Sequence, residues 1–106
     1  MQELTFVYDA DDILDRPIHV GVVASGDLEI VMLPDPGRPT ATIALRTSVD
    51  GHGARWQRVL DRFFEHGAFR ARYEINDSGA TPGMVSLRLG QARELAATNP
   101  PPAVAP

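Results

Sequence analysis

Hydrophobic and polar positions along the chain change period several times, and each change marks an element. In "LTFVYD" (4–9) the residues alternate and are rich in β-formers, which predicts a strand. "DADDILDRP" then reads as a polar connection. "PIHVGVVA" (17–24) and "DLEIVML" (27–33) are two β-rich runs separated by Ser25 and Gly26, a hairpin signal. The three prolines of "PDPGRP" (34–39) cannot continue a ladder and predict a loop. In "TATIALRTSV" (40–49), Ile43, Leu45, Thr47 and Val49 share one face.

The period then lengthens. In "ARWQRVLDRFFEHG", Trp56, Val59, Leu60, Phe63 and Phe64 recur at the spacing of a single helical stripe, with Asp50 as a start signal and Gly67 as a stop. "FRARYEIN" (69–76) returns to strict alternation, with Phe69, Ala71, Tyr73 and Ile75 on one side. Residues 80–97 could pass as a strand at Met84–Leu89. However, Thr81 and Pro82 form an N-cap and N1 pair, and Val85, Leu89, Ala92 and Ala96 repeat at helical spacing. A second helix is therefore predicted, with Gly90 costing it about 1 kcal/mol relative to Ala. The order β-β-β-β-α-β-α predicts an α+β fold: a two-layer, mostly antiparallel sheet of about five strands, with two helices packed on one face. One domain is expected over residues 1–98. The proline-rich tail 99–106 is expected to be disordered.

Composition narrows the function. The 106 residues are 43% hydrophobic and 23% charged, an ordinary globular balance. A net charge of −4 argues against a nucleic-acid partner, which would call for a basic excess. No apolar run is long enough to span a bilayer, so no membrane partner is expected. The acidic start "MQELTFVYDADD" lacks a secretory pattern, and a cytoplasmic location is expected. The absence of cysteine excludes a thiol nucleophile or thiolate metal site, so any thiol chemistry must arrive on a cofactor.

Candidate chemistry is sparse. His19, His52 and His66 share no ligand-like spacing, and no metal site is expected. "DGHGARW" (50–56) fails as a phosphate-cradling loop because Trp56 stands where a third glycine is needed. "NDSGATPG" (76–83) reads as a connector into the second helix, with backbone N–H groups that could meet an anion. Arg55, Arg58 and Arg62 form a stripe on the outer face of the first helix. It reads as a solvated, ion-paired face or as a docking surface for an acidic partner. Ser25 has no positioned base, since His19 lies well back along the preceding strand, and no catalytic residue is expected. An exposed hydroxyl beside a glycine nevertheless suits modification by another enzyme.

The blocks "GVVASGDLE", "TSVDGHGARW" and "INDSGATPGMVSLRL", in that order, resemble the acyl carrier (delta) subunit of malonate decarboxylase, a family related to the acyl carrier (gamma) subunit of citrate lyase. The resemblance runs from about Leu4 to Ala97 and is weaker to the citrate lyase relatives around "TPGMV". It implies a non-catalytic carrier in which Ser25 bears 2'-(5''-phosphoribosyl)-3'-dephospho-CoA through a phosphodiester, with Gly26 and Asp27 beside it. The implied partners are a phosphoribosyl-dephospho-CoA transferase that attaches the group, malonyl transacylase, the alpha transferase subunit that exchanges acetyl for malonyl, and the beta and gamma subunits that release CO2. The alternatives are a citrate lyase-type carrier or an unmodified interaction module with Ser25 as a plain turn residue.

Overall fold

A computed structural model describes residues 1–98; the tail expected to be disordered lies outside the described residues. Strands β1 (Gln2–Asp9), β2 (Asp12–Ile13), β3 (Ile18–Gly21), β4 (Asp27–Leu33) and β5 (Thr40–Thr47) precede helix α1 (Gly53–Phe64). Strands β6 (Phe69–Arg70) and β7 (Arg72–Ser78) and helix α2 (Pro82–Ala97) follow. The main sheet has the order β1-β5-β7-β4-β3. All its junctions are antiparallel except β5 against β7, which runs parallel with Thr42 opposite Arg72. Helix α1 supplies the long crossover that a parallel pair needs. The predicted α+β architecture of five strands and two helices is thus present.

Two details differ from the sequence reading. Strand β3 stops at Gly21 rather than Ala24, because Gly21 takes φ +77°, which turns the chain out of the ladder; only glycine fits there, since a Cβ would sit 2.0 Å from the Leu28 carbonyl oxygen. The hairpin therefore has a broad loop, not a two-residue turn. The run at 69–76 is also divided. Phe69–Arg70 pairs in parallel with Asp12–Ile13, inside the segment read as a polar connection. Arg70 Nε donates to the Ala10 carbonyl at 2.9 Å, and Asp12 N to that of Ala68, holding this ribbon together.

Alternation sends one face of each strand of the main sheet toward a common core. Leu28, Ile30 and Met32 of β4, Ile43 and Leu45 of β5, and Tyr73 and Ile75 of β7 are fully or almost fully buried. Leu60 of α1 and Leu89 of α2 close over them, and the predicted stripe of Val85, Leu89, Ala92 and Ala96 is the buried face of α2. The opposite sheet face carries a His19–Glu29 hydrogen bond at 3.0 Å and the ion pairs Arg46–Glu3 at 3.2 Å and Arg72–Glu74 at 3.2 Å. Such exposed pairs contribute about 0–1 kcal/mol each, so stability rests on the helical face.

Candidate functional site

The hairpin between β3 and β4 ends in a turn over Ala24–Asp27. The Asp27 amide donates to the Ala24 carbonyl at 2.9 Å, and Gly26 takes φ +78°. Positive φ at the third position defines a type II turn and calls for glycine there. Ser25 occupies the second position and is exposed; among the described residues its hydroxyl makes no hydrogen bond. A Cβ built at Gly26 meets nothing within 4 Å, so the space beside Ser25 is open. Val22 and Val23, just before the turn, are 52% and 58% exposed.

The turn is exposed but braced. Gly26 N donates to the Ser78 carbonyl at 2.7 Å, tying the tip to the end of β7. Asp27 Oδ1 accepts its neighbour's amide, Leu28 N, at 2.7 Å, and the same carboxylate receives Arg88 of α2 through two bonds, Nε at 3.0 Å and Nη2 at 2.6 Å. This two-point geometry fixes direction as well as distance. The Arg88 bonds, followed by the Leu28 amide, hold the Asp27 carboxyl below its ordinary pKa, and the same pairing raises that of Arg88. Arg88 was not predicted. It lies 61 positions from Asp27, and no spacing rule links them. The available signal was chemical: a carboxylate at the foot of a turn calls for a hydrogen-bonding cation.

The other two sequence blocks meet the turn at the same end of the sheet. Asp77 is buried, and its carboxylate accepts Thr47 Oγ1 at 2.8 Å, Gly79 N at 3.3 Å and Ala80 N at 3.0 Å. It thereby shapes the turn into α2, where Thr81 Oγ1 accepts Met84 N at 3.2 Å as the predicted cap. Thr47 Oγ1 in turn accepts Val49 N at 3.1 Å, bending the chain out of β5. Helix α1 starts after His52, not at Asp50, and has no side-chain cap. A half-open cavity of about 220 Å³ lies between the starts of the two helices, with Trp56, Val59 and Val85 among its walls.

The histidines do not converge. His19 Nε2 donates to Glu29 Oε2, His52 borders the cavity, and His66 lies beyond the end of α1. Arg55, Arg58 and Arg62 are all exposed, as expected. No salt bridge joins them to Asp61 or Glu65 of the same helix among the described residues; Asp61 Oδ1 accepts the Tyr8 hydroxyl at 2.6 Å. Arg55 reaches the cavity at the Ser25 end. Arg62 stands about 10 Å further along the helix, given a rise of ~1.5 Å per residue.

Comparison with known proteins agrees with this arrangement. Residues 15–96 match the family model described as "ACP: Malonate decarboxylase delta subunit (MdcD)". The malonate decarboxylase acyl carrier protein of Pseudomonas fluorescens is 43% identical over 96 residues, covering 89% of this chain and 95% of the relative. That of Xanthomonas euvesicatoria is 49% identical over 77 residues, covering 72% and 73%. A chain in the crystal structure of a Pseudomonas malonate decarboxylase hetero-tetramer in complex with malonate superposes with a TM-score of 0.86 at 37% identity, covering 92% of this chain and all of that one. Fold and turn together therefore define an acyl carrier, built on a sheet and not on a helical bundle. Within that class, the chain belongs to the malonate decarboxylase acyl carrier (delta subunit) family.

Proposed function

We propose that Ser25 is the attachment residue of this carrier and that it bears 2'-(5''-phosphoribosyl)-3'-dephospho-CoA through a phosphodiester. One observation carries the reading: the Ser25 hydroxyl stands free at the second position of a type II turn, with empty space over Gly26. A modifying transferase can reach it without moving any packed side chain. The residues present fit the group. Arg88 supplies a cation on the neighbouring helix, and by engaging Asp27 it offsets the negative charge that would otherwise face a phosphate. When attached, the group supplies a thiol on a flexible arm, to which acetyl or malonyl is joined as a thioester.

The chain's own residues then hold the attachment point still. Gly26 leaves room, Asp27 and Arg88 fix the direction of the turn, and Ser78 anchors its tip. A tethered acyl group reaches successive active sites by effective concentration. The partners in this reading are the phosphoribosyl-dephospho-CoA transferase, malonyl transacylase, and the alpha, beta and gamma subunits of a cytoplasmic malonate decarboxylase. Arg55, Arg58 and Arg62 offer a basic strip to an acidic surface on one of them. Intact-mass measurement after co-expression with the modifying enzymes tests the assignment. A gain equal to the prosthetic group, absent in Ser25→Ala, is expected; no gain on the unaltered chain, or an undiminished gain in Ser25→Ala, rejects it.

A further inference from the structure

We propose that the cavity between the starts of α1 and α2 is a resting seat for the acyl end of the arm, occupied between deliveries; this rests on Ser25 being the attachment point. The cavity adjoins the turn. Gly26 N is bonded to the Ser78 carbonyl, and Gly79, the next residue, lines the cavity. The attachment point and the cavity wall are thus one residue removed from either side of a single hydrogen bond. A second cavity flanks the turn on its other side, lined by Gly21 and Arg88, but its walls include Glu94 and it offers no cation free of a carboxylate.

Size is compatible with the occupant. About 220 Å³ is smaller than pockets for drug-sized ligands, which begin near 300 Å³, and is enough for a short acyl thioester. Lining chemistry selects it. Trp56, Val59 and Val85 give an apolar floor suited to a methyl and a sulfur, while Arg55 lies at the cavity's exposed side. Arg88 is committed to Asp27 and Arg46 to Glu3, whereas Arg55 has no carboxylate partner among the described residues. Asp77 also lines the cavity, but its carboxylate is occupied by Thr47 and two backbone amides. A carboxyl-bearing acyl group such as malonyl therefore meets Arg55, and acetyl meets the floor.

Trp56 is the only tryptophan in the chain, so its emission reports this cavity alone. The experiment compares full-length protein as unmodified chain, free-thiol arm, acetyl and malonyl forms, each verified by intact mass. Loading an acyl group is expected to shift Trp56 emission and reduce its acrylamide quenching. It is also expected to slow thioester hydrolysis several-fold relative to Val49→Phe, which narrows the mouth from an exposed loop position. In Arg55→Gln the malonyl response falls while the acetyl response stays, and circular dichroism checks that both variants are folded. A verified arm with unchanged Trp56 emission, quenching and hydrolysis overturns the seat and leaves the attachment standing. Absence of the arm by mass overturns both.

Discussion

The two ends of the sheet are built from different interactions. At the Ser25 end, polar side chains grip backbone and each other: Asp27 with Arg88, and Asp77 with Thr47, Gly79 and Ala80. At the opposite end, rings are packed. Tyr8 stacks on Phe64 with centroids 4.5 Å apart, Phe64 meets Tyr73 edge-on at 5.5 Å, and the Arg93 guanidinium lies 4.0 Å from the Phe63 centroid. Arg16 Nη2 clasps the close of α2 there, donating to the Leu95 carbonyl at 2.7 Å. Aromatic packing holds elements together by covering them. Hydrogen-bonded bracing fixes a loop while leaving its outer surface bare, which the proposed attachment at Ser25 requires.

The widest separation between the ends is expected from single truncations. Ser25→Ala abolishes loading by mass yet shifts stability by no more than about 0.5 kcal/mol, since the hydroxyl touches nothing that folding needs. Phe64→Ala does the reverse. It costs about 3 kcal/mol in urea unfolding and leaves Ser25 loadable wherever the chain remains folded. A large loss of stability in Ser25→Ala would remove the contrast.

The glycines sharpen it within the hairpin. Gly21 and Gly26 have nearly equal φ, +77° and +78°, but only at Gly21 does a Cβ collide with backbone, at 2.0 Å from the Leu28 oxygen. Gly21→Ala is expected to cost about 3 kcal/mol or more, combining strain with a forced backbone shift. Gly26→Ala pays only the conformational term, about 1 kcal/mol, and slows loading by crowding Ser25. Equal destabilisation of the two would show that the ladder yields at Gly21.

Between those values falls Asp77→Ala. It deprives Thr47, Gly79 and Ala80 of their shared acceptor, and a buried unsatisfied donor costs about 1–3 kcal/mol. Hydrogen exchange at the Gly79 and Ala80 amides should rise before that of the β7 core.

Local patterns were legible; long-range polar contacts were not. Period-two alternation gave the core faces of β4, β5 and β7, and the stripes through Trp56 and Val85 gave both helices, because burial acts on each residue separately. The Thr81 cap was readable because its partner lies three positions away. The shortening of β3 at Gly21 was hidden, since its positive φ is set by how closely the facing strand approaches and not by its neighbours in sequence. So was Arg88: its role exists only once α2 crosses the start of β4. Ser25 was legible as a turn residue, and the resemblance, not the pattern, singled it out as an attachment point.

The smallest effect lies in the acid response. Asp27 has its pKa lowered by Arg88 and the Leu28 amide, and Glu29 by His19 and then Asn76. A carboxyl depressed in the folded state stabilises fully above its unfolded pKa, about 3.9 for Asp and 4.3 for Glu, and loses that contribution as pH falls through the folded value. Melting temperature should therefore decline below about pH 4. Asp27→Asn should flatten part of that decline and leave the Glu29 part. Arg88→Gln removes the main cause of the Asp27 depression, so it should flatten the same part while Ser25 stays in place. At neutral pH it frees the turn from α2, and loading should slow several-fold. Arg93→Gln, which disturbs only the aromatic end, should lower stability without slowing loading of the folded chain. If both arginine variants loaded equally fast, Arg88 would be a surface tie, and the distinction between a braced end and a packed end would have no functional content.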